Sequence, residues 1–248
     1  MQKIMAANWK MFKTREQARE MVSQLRGLLT LPQGRNVLIF PPFTCLSTTA
    51  QALEGATGMA VGGQNMYPAA EGAFTGEISP AMLRDAGAAW VLVGHSERRQ
   101  IFGESLDLIA KKTMLALQEG LNVLLCVGES LEERERGHLE QVLDQQLRSA
   151  LTGLSIPHRR TLAVAYEPVW AIGTGKVAGA EEICEAHGLV RRLLCDIFGK
   201  NGNDTAILYG GSVKPDNAAA IIALDNVDGV LVGGASLQAE SFARIITA

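Results

Sequence analysis

The chain has 248 residues, 47% of them hydrophobic and 20% charged, which is the composition of a globular protein large enough to bury an extensive apolar core. Its 23 basic and 26 acidic side chains give a net charge of −3, so the sequence lacks the basic surface of a nucleic-acid-binding protein. No segment approaches the roughly 20 apolar residues of a membrane-spanning helix, and the N-terminal residues lack the apolar core of a signal peptide. We therefore expect no nucleic-acid and no membrane partner.

The four cysteines are Cys45, Cys126, Cys184 and Cys195, and no two of them have the C-x-x-C spacing of a metal or redox site. Without a secretory signal, we expect reduced thiols in a cytoplasmic protein rather than disulfides. No cluster of His, Cys, Asp and Glu has the spacing of metal ligands, so the sequence predicts no metal. We also expect Cys126, at the end of the fifth predicted strand, to be buried and slow to react.

Eight short apolar runs recur along the chain and predict eight β-strands. They lack polar alternation, which is typical of strands covered on both faces. The runs are residues 3–8, 36–40, 59–63, 90–94, 122–127, 161–166, 205–210 and 229–234.

Helical patterns lie between these runs. Residues 14–29 open with T-R-E-Q, a capping box, and place apolar side chains at helical spacing. S-L-E-E at residues 130–133 is a second capping box, and helices are also predicted at residues 105–119, 178–198, 215–224 and 238–246. Eight strand–helix units in a chain of this length predict an α/β fold. The expected form is a single (β/α)8 TIM barrel of eight parallel strands with an outer ring of helices, forming one domain over residues 1–248. The alternative is an open, doubly wound sheet.

In such a barrel, the loops that follow the strands share one face, and that face carries the chemistry. Polar residues and glycine pairs directly follow five of the predicted strands, so we expect them to converge. They are Asn8 and Lys10 after the first strand, His95, Ser96 and Glu97 after the fourth, Glu167 after the sixth, G-G-S-V at 210–213 after the seventh and G-G-A-S at 233–236 after the eighth.

Glu167 is the first candidate catalytic residue. Alone, a carboxylate at a strand end is commonly the partner of a neighbouring lysine or arginine. Here Pro168 restricts Glu167 to an extended backbone, and Gly173 and Gly175 follow in a segment that can move and approach a ligand. Trp170 can act as an apolar plug. A base beside a closing lid suits abstraction of a proton from carbon in a site from which water is excluded.

His95 and Lys10 are the second and third candidates. His95 directly follows a buried strand and precedes a predicted helix start at residues 96–100, where a helix N-terminus favours a neutral ring. His138, His158 and His187 lie in polar or amphipathic surroundings and are interpreted as structural. Lys10 alone would be a solvated surface lysine, but near Glu167 and His95 it would stabilise an anionic substrate and its oxyanion.

The two glycine pairs predict a phosphate site. Backbone N–H groups at such turns hold anions without net charge, and barrels commonly bind phosphate after the seventh and eighth strands. The alternative is that the tight turns simply require glycine. The segment G-T-G-K-V-A-G at residues 173–179 matches neither a Walker A loop nor a dinucleotide fingerprint.

Residues 64–77 form a long loop without periodicity, and long loops of this kind in compact domains are usually functional. We expect Met66, Tyr67 and Phe74 to be exposed on it. Exposed apolar side chains suggest a protein partner, and symmetric self-association is the simplest one.

Seven segments carry a resemblance to a known family: AANWKM, GAFTGE, GHSERR, CVGESLEER, AYEPVWAIGTGK, YGGSVKPDNA and GVLVGGASL. In this order, from residue 6 to about residue 237, the sequence closely resembles triosephosphate isomerases. The resemblance implies a homodimer without a cofactor. It also implies interconversion of dihydroxyacetone phosphate and D-glyceraldehyde 3-phosphate, a reaction of glycolysis and gluconeogenesis.

The resemblance also implies the role of each site residue. Glu167 would be the base, His95 the neutral electrophile, Lys10 an electrostatic stabiliser and Asn8 a substrate-positioning group, with Ser96 and Glu97 as supporting groups. The other implied positions fall into three sets. The phosphate would be held by Gly173, Ser212, Gly233 and Gly234. The lid would comprise Pro168, Val169, Trp170, Ala171, Ile172, Gly173, Thr174, Gly175 and Lys176, ending near Ala178. The dimer contacts would be Gln64, Asn65, Phe74 and Thr75, with Thr75 bracing Lys10 of the neighbouring subunit.

Two other functions compete with this interpretation. A different phosphate-binding (β/α)8 enzyme, such as an epimerase or a synthase, would share the fold, but the sequence lacks the metal ligands of a pentose-phosphate epimerase. A non-enzymatic protein that binds a partner through residues 64–77 would not need Glu167, His95 and Lys10 together at one end of the barrel.

Overall fold

The computed structural model describes residues 2–154, 161–171 and 178–248. Eight parallel strands form a closed barrel in which each strand pairs with the next along the chain and the last pairs with the first. The strands are β1 (Lys3–Asn8), β2 (Arg35–Phe40), β3 (Met59–Gly63), β4 (Trp90–Val93), β5 (Asn122–Val127), β6 (Leu162–Tyr166), β7 (Ala206–Tyr209) and β8 (Gly229–Val232). The predicted (β/α)8 fold class is confirmed, and the open sheet is excluded.

Helices surround the barrel. Those within the described ranges are α1 (Arg15–Leu28), α2 (Leu46–Ala52), α3 (Pro80–Asp85), α4 (Ser96–Gln100), α5 (Leu106–Gln118), α6 (Leu131–Glu135), α7 (Leu139–Leu151), α8 (Ala180–Phe198), α9 (Ala218–Ile222) and α10 (Ala239–Thr247). The predicted capping box at the start of α1 is present, because Thr14 accepts from the Gln17 backbone and Gln17 accepts from the Thr14 backbone. The second capping box, Ser130 with Glu133, begins α6.

One predicted helix, at residues 215–224, was too long. Helix α9 covers only Ala218–Ile222, because residues 215–217 form a turn. The Asn217 side chain accepts from the Lys214 backbone at 2.7 Å and donates to the Ser212 carbonyl at 3.1 Å. Asparagine side chains stabilise turns in this way at the expense of a helix.

Alternate residues of each strand face two separate apolar layers. The barrel interior includes Ala6, Phe40, Leu124 and Leu208, whereas their sequence neighbours pack between the strands and the helices. This double burial explains the unbroken apolar runs in the sequence. Gly62 makes room for Phe40, since a Cβ atom there would lie 2.3 Å from the Phe40 ring.

The loop at residues 64–77 contains no helix or strand, as its sequence indicated, but the exposure predicted for Met66 was wrong. Met66 is fully buried in the apolar core. Phe74 is exposed, and Tyr67 is half-buried with its ring centroid 4.4 Å from that of Phe74. The loop is therefore anchored by one apolar side chain and presents an aromatic pair.

The cysteines are all free thiols. Cys45 and Cys126 are buried, as predicted for Cys126, and Cys184 and Cys195 are half-buried. Within the part of the chain that the structure describes, no helix is both long enough and apolar enough to cross a membrane.

Candidate active site

The ends of β1, β4, β6, β7 and β8 surround one cavity of about 300 Å³. Most of the residues predicted from the sequence line it, although they come from distant parts of the chain. They are Asn8, Lys10, His95, Glu167, Ser212, Gly233 and Gly234. The convergence follows from the barrel, because its parallel strands all end on the same face.

Glu167 lies at the bottom of this cavity, directly after β6, and is only 2% exposed. Its backbone N–H donates to the Val127 carbonyl at 2.7 Å, and its Oε2 accepts from the Ser96 N–H at 2.9 Å. Its Oε1 lies 3.0 Å from His95 Nε2, so its direct partner is a histidine and not a lysine or arginine. Burial alone would raise the pKa of Glu167, but His95, the Ser96 N–H and Lys10 outweigh burial and lower it.

His95 caps the first turn of α4, where residues 96–100 were expected to start a helix. The Glu97 N–H donates to His95 Nδ1 at 3.2 Å, so a neutral ring carries its proton on Nε2, which points at Glu167. Burial lowers the pKa of His95, but the Glu167 and Glu97 carboxylates raise it above its usual value. The N-terminus of this short helix was expected to keep the His95 ring neutral. The two carboxylates favour the protonated ring instead, whereas the Glu97 N–H, which donates to Nδ1, favours the neutral ring.

Lys10 is held in place rather than solvated. Its backbone has φ +52°, a left-handed conformation that costs a non-glycine residue about 1–3 kcal/mol. Two side chains support that backbone: Asn8 Oδ1 accepts from the Lys10 N–H at 2.9 Å, and Gln64 donates to the Lys10 carbonyl at 2.9 Å. The Lys10 ammonium lies 2.6 Å from Glu97 Oε1, so Glu97 fixes the position of this charge.

The glycine pairs also line the cavity, and Gly210 lies against Glu167, since a Cβ atom there would be 2.9 Å from Glu167 Cγ. Gly233 lies beside the Lys10 side chain, since a Cβ atom there would be 3.4 Å from Lys10 Cε. Gly211 also has a packing reason to be glycine, because a Cβ atom would lie 2.2 Å from the Tyr209 hydroxyl. The two explanations of these glycines, phosphate binding and tight packing, are therefore compatible.

Only the first part of the expected lid is described. Pro168 and Ala171 are buried, Val169 and Trp170 are half-buried, and Val169–Ala171 forms a single 3-10 turn. The other expected lid residues and one expected phosphate ligand lie outside the described residues: Ile172, Gly173, Thr174, Gly175 and Lys176.

Glu129 belongs to one of the sequence motifs but was given no role, and the structure places it against Val169 and Trp170, at the start of the expected lid. It is fully buried, and its Oε1 accepts from the Tyr166 hydroxyl and from the Trp170 indole N–H, each at 2.9 Å. Its backbone carbonyl accepts from the Val169 N–H at 3.1 Å. Burial raises the pKa of Glu129. The only signal in the sequence was a carboxylate two residues after a buried strand, which is weaker than the signal for Glu167, directly after its strand.

A family model described as triosephosphate isomerase matches residues 3–248. The chain belongs to the triosephosphate isomerase family. It is 62% identical over the full length of both chains to the triosephosphate isomerase of Nitratidesulfovibrio vulgaris strain Miyazaki F, and 58% identical, again over both full lengths, to that of Oleidesulfovibrio alaskensis strain G20. The enzyme of Lawsonia intracellularis is 51% identical over 99% of this chain and 97% of its own.

The remaining histidines of this triosephosphate isomerase family member lie away from the cavity or outside the described residues. His187 is buried in α8, with Nδ1 2.9 Å from the Asn226 carbonyl and its ring edge against Tyr166. Burial lowers the pKa of His187 to about 4. His138 is exposed, and His158 falls in a range that the structure does not describe. Among the described residues, no three His, Cys, Asp or Glu side chains form a group that could hold a metal ion.

Proposed function

We propose that the protein interconverts dihydroxyacetone phosphate and D-glyceraldehyde 3-phosphate through an enediolate, in glycolysis and gluconeogenesis. The observation that carries this proposal is the buried pair of Glu167 and His95, which lies in one small cavity that the glycine pairs also line. The names of the relatives support the same reaction. The reaction requires a base that takes a proton from carbon, an acid that donates a hydrogen bond to the carbonyl oxygen, and a group that binds the phosphate.

Glu167 is the proposed base. Its lowered pKa means that the carboxylate is ionised near neutral pH, as a base must be. The Ser96 N–H holds Oε2, and Oε1, which lies 3.0 Å from His95 Nε2 in this structure, separates from the imidazole to take the proton that moves between the two carbons. Burial keeps the carboxylate away from bulk water, so that the intermediate meets the base and not solvent.

His95 and Lys10 are proposed to act on the substrate oxygens. A neutral His95 with its proton on Nε2 donates to the carbonyl oxygen as negative charge develops there. The Lys10 ammonium stabilises that charge and the anionic substrate, and Glu97 keeps the ammonium in place. Asn8 positions the substrate and also supports the Lys10 backbone.

The phosphate is proposed to lie at the far end of the cavity, held by backbone N–H groups of Gly173, Ser212, Gly233 and Gly234. A local anchor of this kind suits a chain whose net charge is −3. The lid, residues 168–176, is proposed to close over the substrate and expel water. No resident metal or other cofactor takes part in this proposal.

The proposed assembly is a homodimer, supported by a second cavity of about 210 Å³ that adjoins the active site. Lys10 and His95 contribute to its lining, and so do three apolar side chains that are partly or largely exposed: Met11, Phe43 and Phe102. Thr75 lies on an exposed loop next to Phe74. We infer that Thr75 of the partner subunit enters this cavity, with Gln64 and Asn65 at its edge. The free cysteines support a cytoplasmic location.

The test is the rate of interconversion of the two triose phosphates with excess chelator, for the unmodified protein and for Glu167→Gln. We expect rapid turnover that the chelator does not change. The substitution should reduce it by about 10²- to 10⁴-fold, the range contributed by a positioned base. Circular dichroism verifies that the variant is folded. No turnover by the unmodified protein would refute the proposal, and loss of turnover with chelator would favour a metal-dependent barrel enzyme.

A further inference from the structure

Arg99, in α4, is a cation near Glu167 that the proposed reaction does not use. It is half-buried, and its guanidinium lies between the ends of β4 and β5. Its Nε donates to the Gly94 carbonyl at 2.7 Å, and its Nη2 donates to the Cys126 carbonyl at 2.9 Å. Burial lowers the pKa of Arg99, whereas the Cys126 and Glu167 side chains raise it.

The two carbonyls that Arg99 bonds lie on backbone segments that hold the catalytic pair. Gly94 directly precedes His95. Cys126 directly precedes Val127, whose carbonyl accepts from the Glu167 backbone N–H at 2.7 Å. One rigid guanidinium therefore connects the backbone that carries His95 to the backbone that holds Glu167.

The local backbone is shaped for this side chain. Gly94 has φ +72°, and a Cβ atom there would lie 2.9 Å from Arg99 Nη2. Any other residue at position 94 would therefore be strained and would press on the guanidinium. Arg99 also lines a separate cavity of about 240 Å³ behind Glu167, together with Ser96 and Gln146. A shorter side chain at position 99 would enlarge this space without a clash.

We propose that Arg99 is a positioning residue of the isomerase, whose two hydrogen bonds fix the separation of His95 and Glu167. The inference rests on the proposed function. Arg99 does not touch the cavity that would hold the substrate, so its effect passes through the backbones of β4 and β5. It follows that its loss changes the chemical step and leaves phosphate binding, which depends on the ends of β7 and β8, intact.

The experiment measures kcat and KM for Arg99→Gln and Arg99→Lys beside the unmodified protein. Because a misplacement of about 1 Å can cost about 10²-fold, we expect kcat to fall by about 10- to 100-fold while KM stays within about twofold. Lysine keeps the charge but presents one nitrogen in place of the planar fork, so Arg99→Lys should lose about as much activity as Arg99→Gln.

Arg191 in α8 offers a matched control. Its Nη1 also bridges two carbonyls, those of Gly202 and Thr205, each at 2.6 Å, and its Nη2 bonds Asp228. Gly202 and Thr205 precede β7 and Asp228 precedes β8, at the end of the barrel away from the active site. Arg191→Gln should lower the melting temperature and leave kcat within about twofold of the unmodified value, as expected for a site that the chemistry does not use.

Three results would overturn the inference. They are an unchanged kcat in folded Arg99→Gln, full activity in Arg99→Lys, and equal losses of kcat in the Arg99 and Arg191 variants. An inactive unmodified protein would instead refute the proposed function, so the two failures are distinguishable.

Discussion

Shortening Glu167 by one methylene group tests how closely the base must be placed. In Glu167→Asp the carboxylate withdraws by about 1.5 Å, the length of one carbon–carbon bond. The native contacts are 2.9 Å to the Ser96 N–H and 3.0 Å to His95 Nε2, so such a withdrawal takes both beyond hydrogen-bond distance. The charge and the buried surroundings remain, and the position alone changes.

A misplacement of about 1 Å costs about 10²-fold, so we expect kcat to fall by about 10²- to 10³-fold, or about 3–4 kcal/mol in the activation barrier. KM should change by less than about threefold, because the phosphate site is untouched. The assay couples each triose phosphate to a dehydrogenase and follows the nicotinamide absorbance in both directions.

The matched control is Glu132→Asp, which shortens an exposed carboxylate that pairs with Arg136 on the outer surface. It should leave kcat unchanged. A Glu167→Asp variant with an unchanged kcat, or with a loss confined to KM, would refute the assignment of Glu167 as a closely positioned base.

Three further outcomes are expected. Cys126 is fully buried and its pKa is raised by burial, so a thiol reagent should label it only on unfolding; fast labelling of the native protein would contradict this. Met11 is 94% exposed beside the second cavity. Met11→Leu should leave the proposed dimer intact, whereas Met11→Glu should shift its sedimentation towards the monomer; a dimer that persists in Met11→Glu would place the interface elsewhere. The pKa of His187 is lowered to about 4 in the folded protein, whereas an unfolded histidine titrates near 6.5. As the pH falls, the unfolded chain therefore binds a proton at His187 before the folded protein does. The free energy of unfolding should fall by up to about 3 kcal/mol as the pH drops from about 6.5 to about 4. His187→Gln should flatten that part of the melting-temperature profile, and an unaltered slope would show that His187 is not the cause.

The strands and the site-bearing positions were predictable from the sequence. Burial on both faces gives each strand an unbroken apolar run, and the observed bounds differ from the predicted ones by at most two residues, as at Val232, where β8 ends. Once eight parallel strands are assigned, the residues that follow them must meet on one face. This rule brought Lys10, His95 and Glu167 together without any knowledge of their contacts.

Other features depended on contacts that the sequence does not reveal. Met66 is buried because the loop folds back onto the core, and a loop has no periodicity to indicate which side chain does so. Glu129 accepts a hydrogen bond from Trp170, 41 residues away, and Arg99 donates to the Cys126 carbonyl, 27 residues away. The pKa of His95 depends on two carboxylates whose distances only the fold determines.

In the proposed reaction, a carboxylate moves a proton between two carbons. The most direct test converts dihydroxyacetone phosphate in D2O and measures by NMR the deuterium at C2 of the glyceraldehyde 3-phosphate formed, with Glu167→Gln in parallel. We expect deuterium in only part of the product, because Glu167 is buried and some of its protons return to carbon before they exchange with solvent. Glu167→Gln should lose turnover and deuterium incorporation together. Rapid turnover without any deuterium, or incorporation that survives in Glu167→Gln, would contradict proton transfer by Glu167.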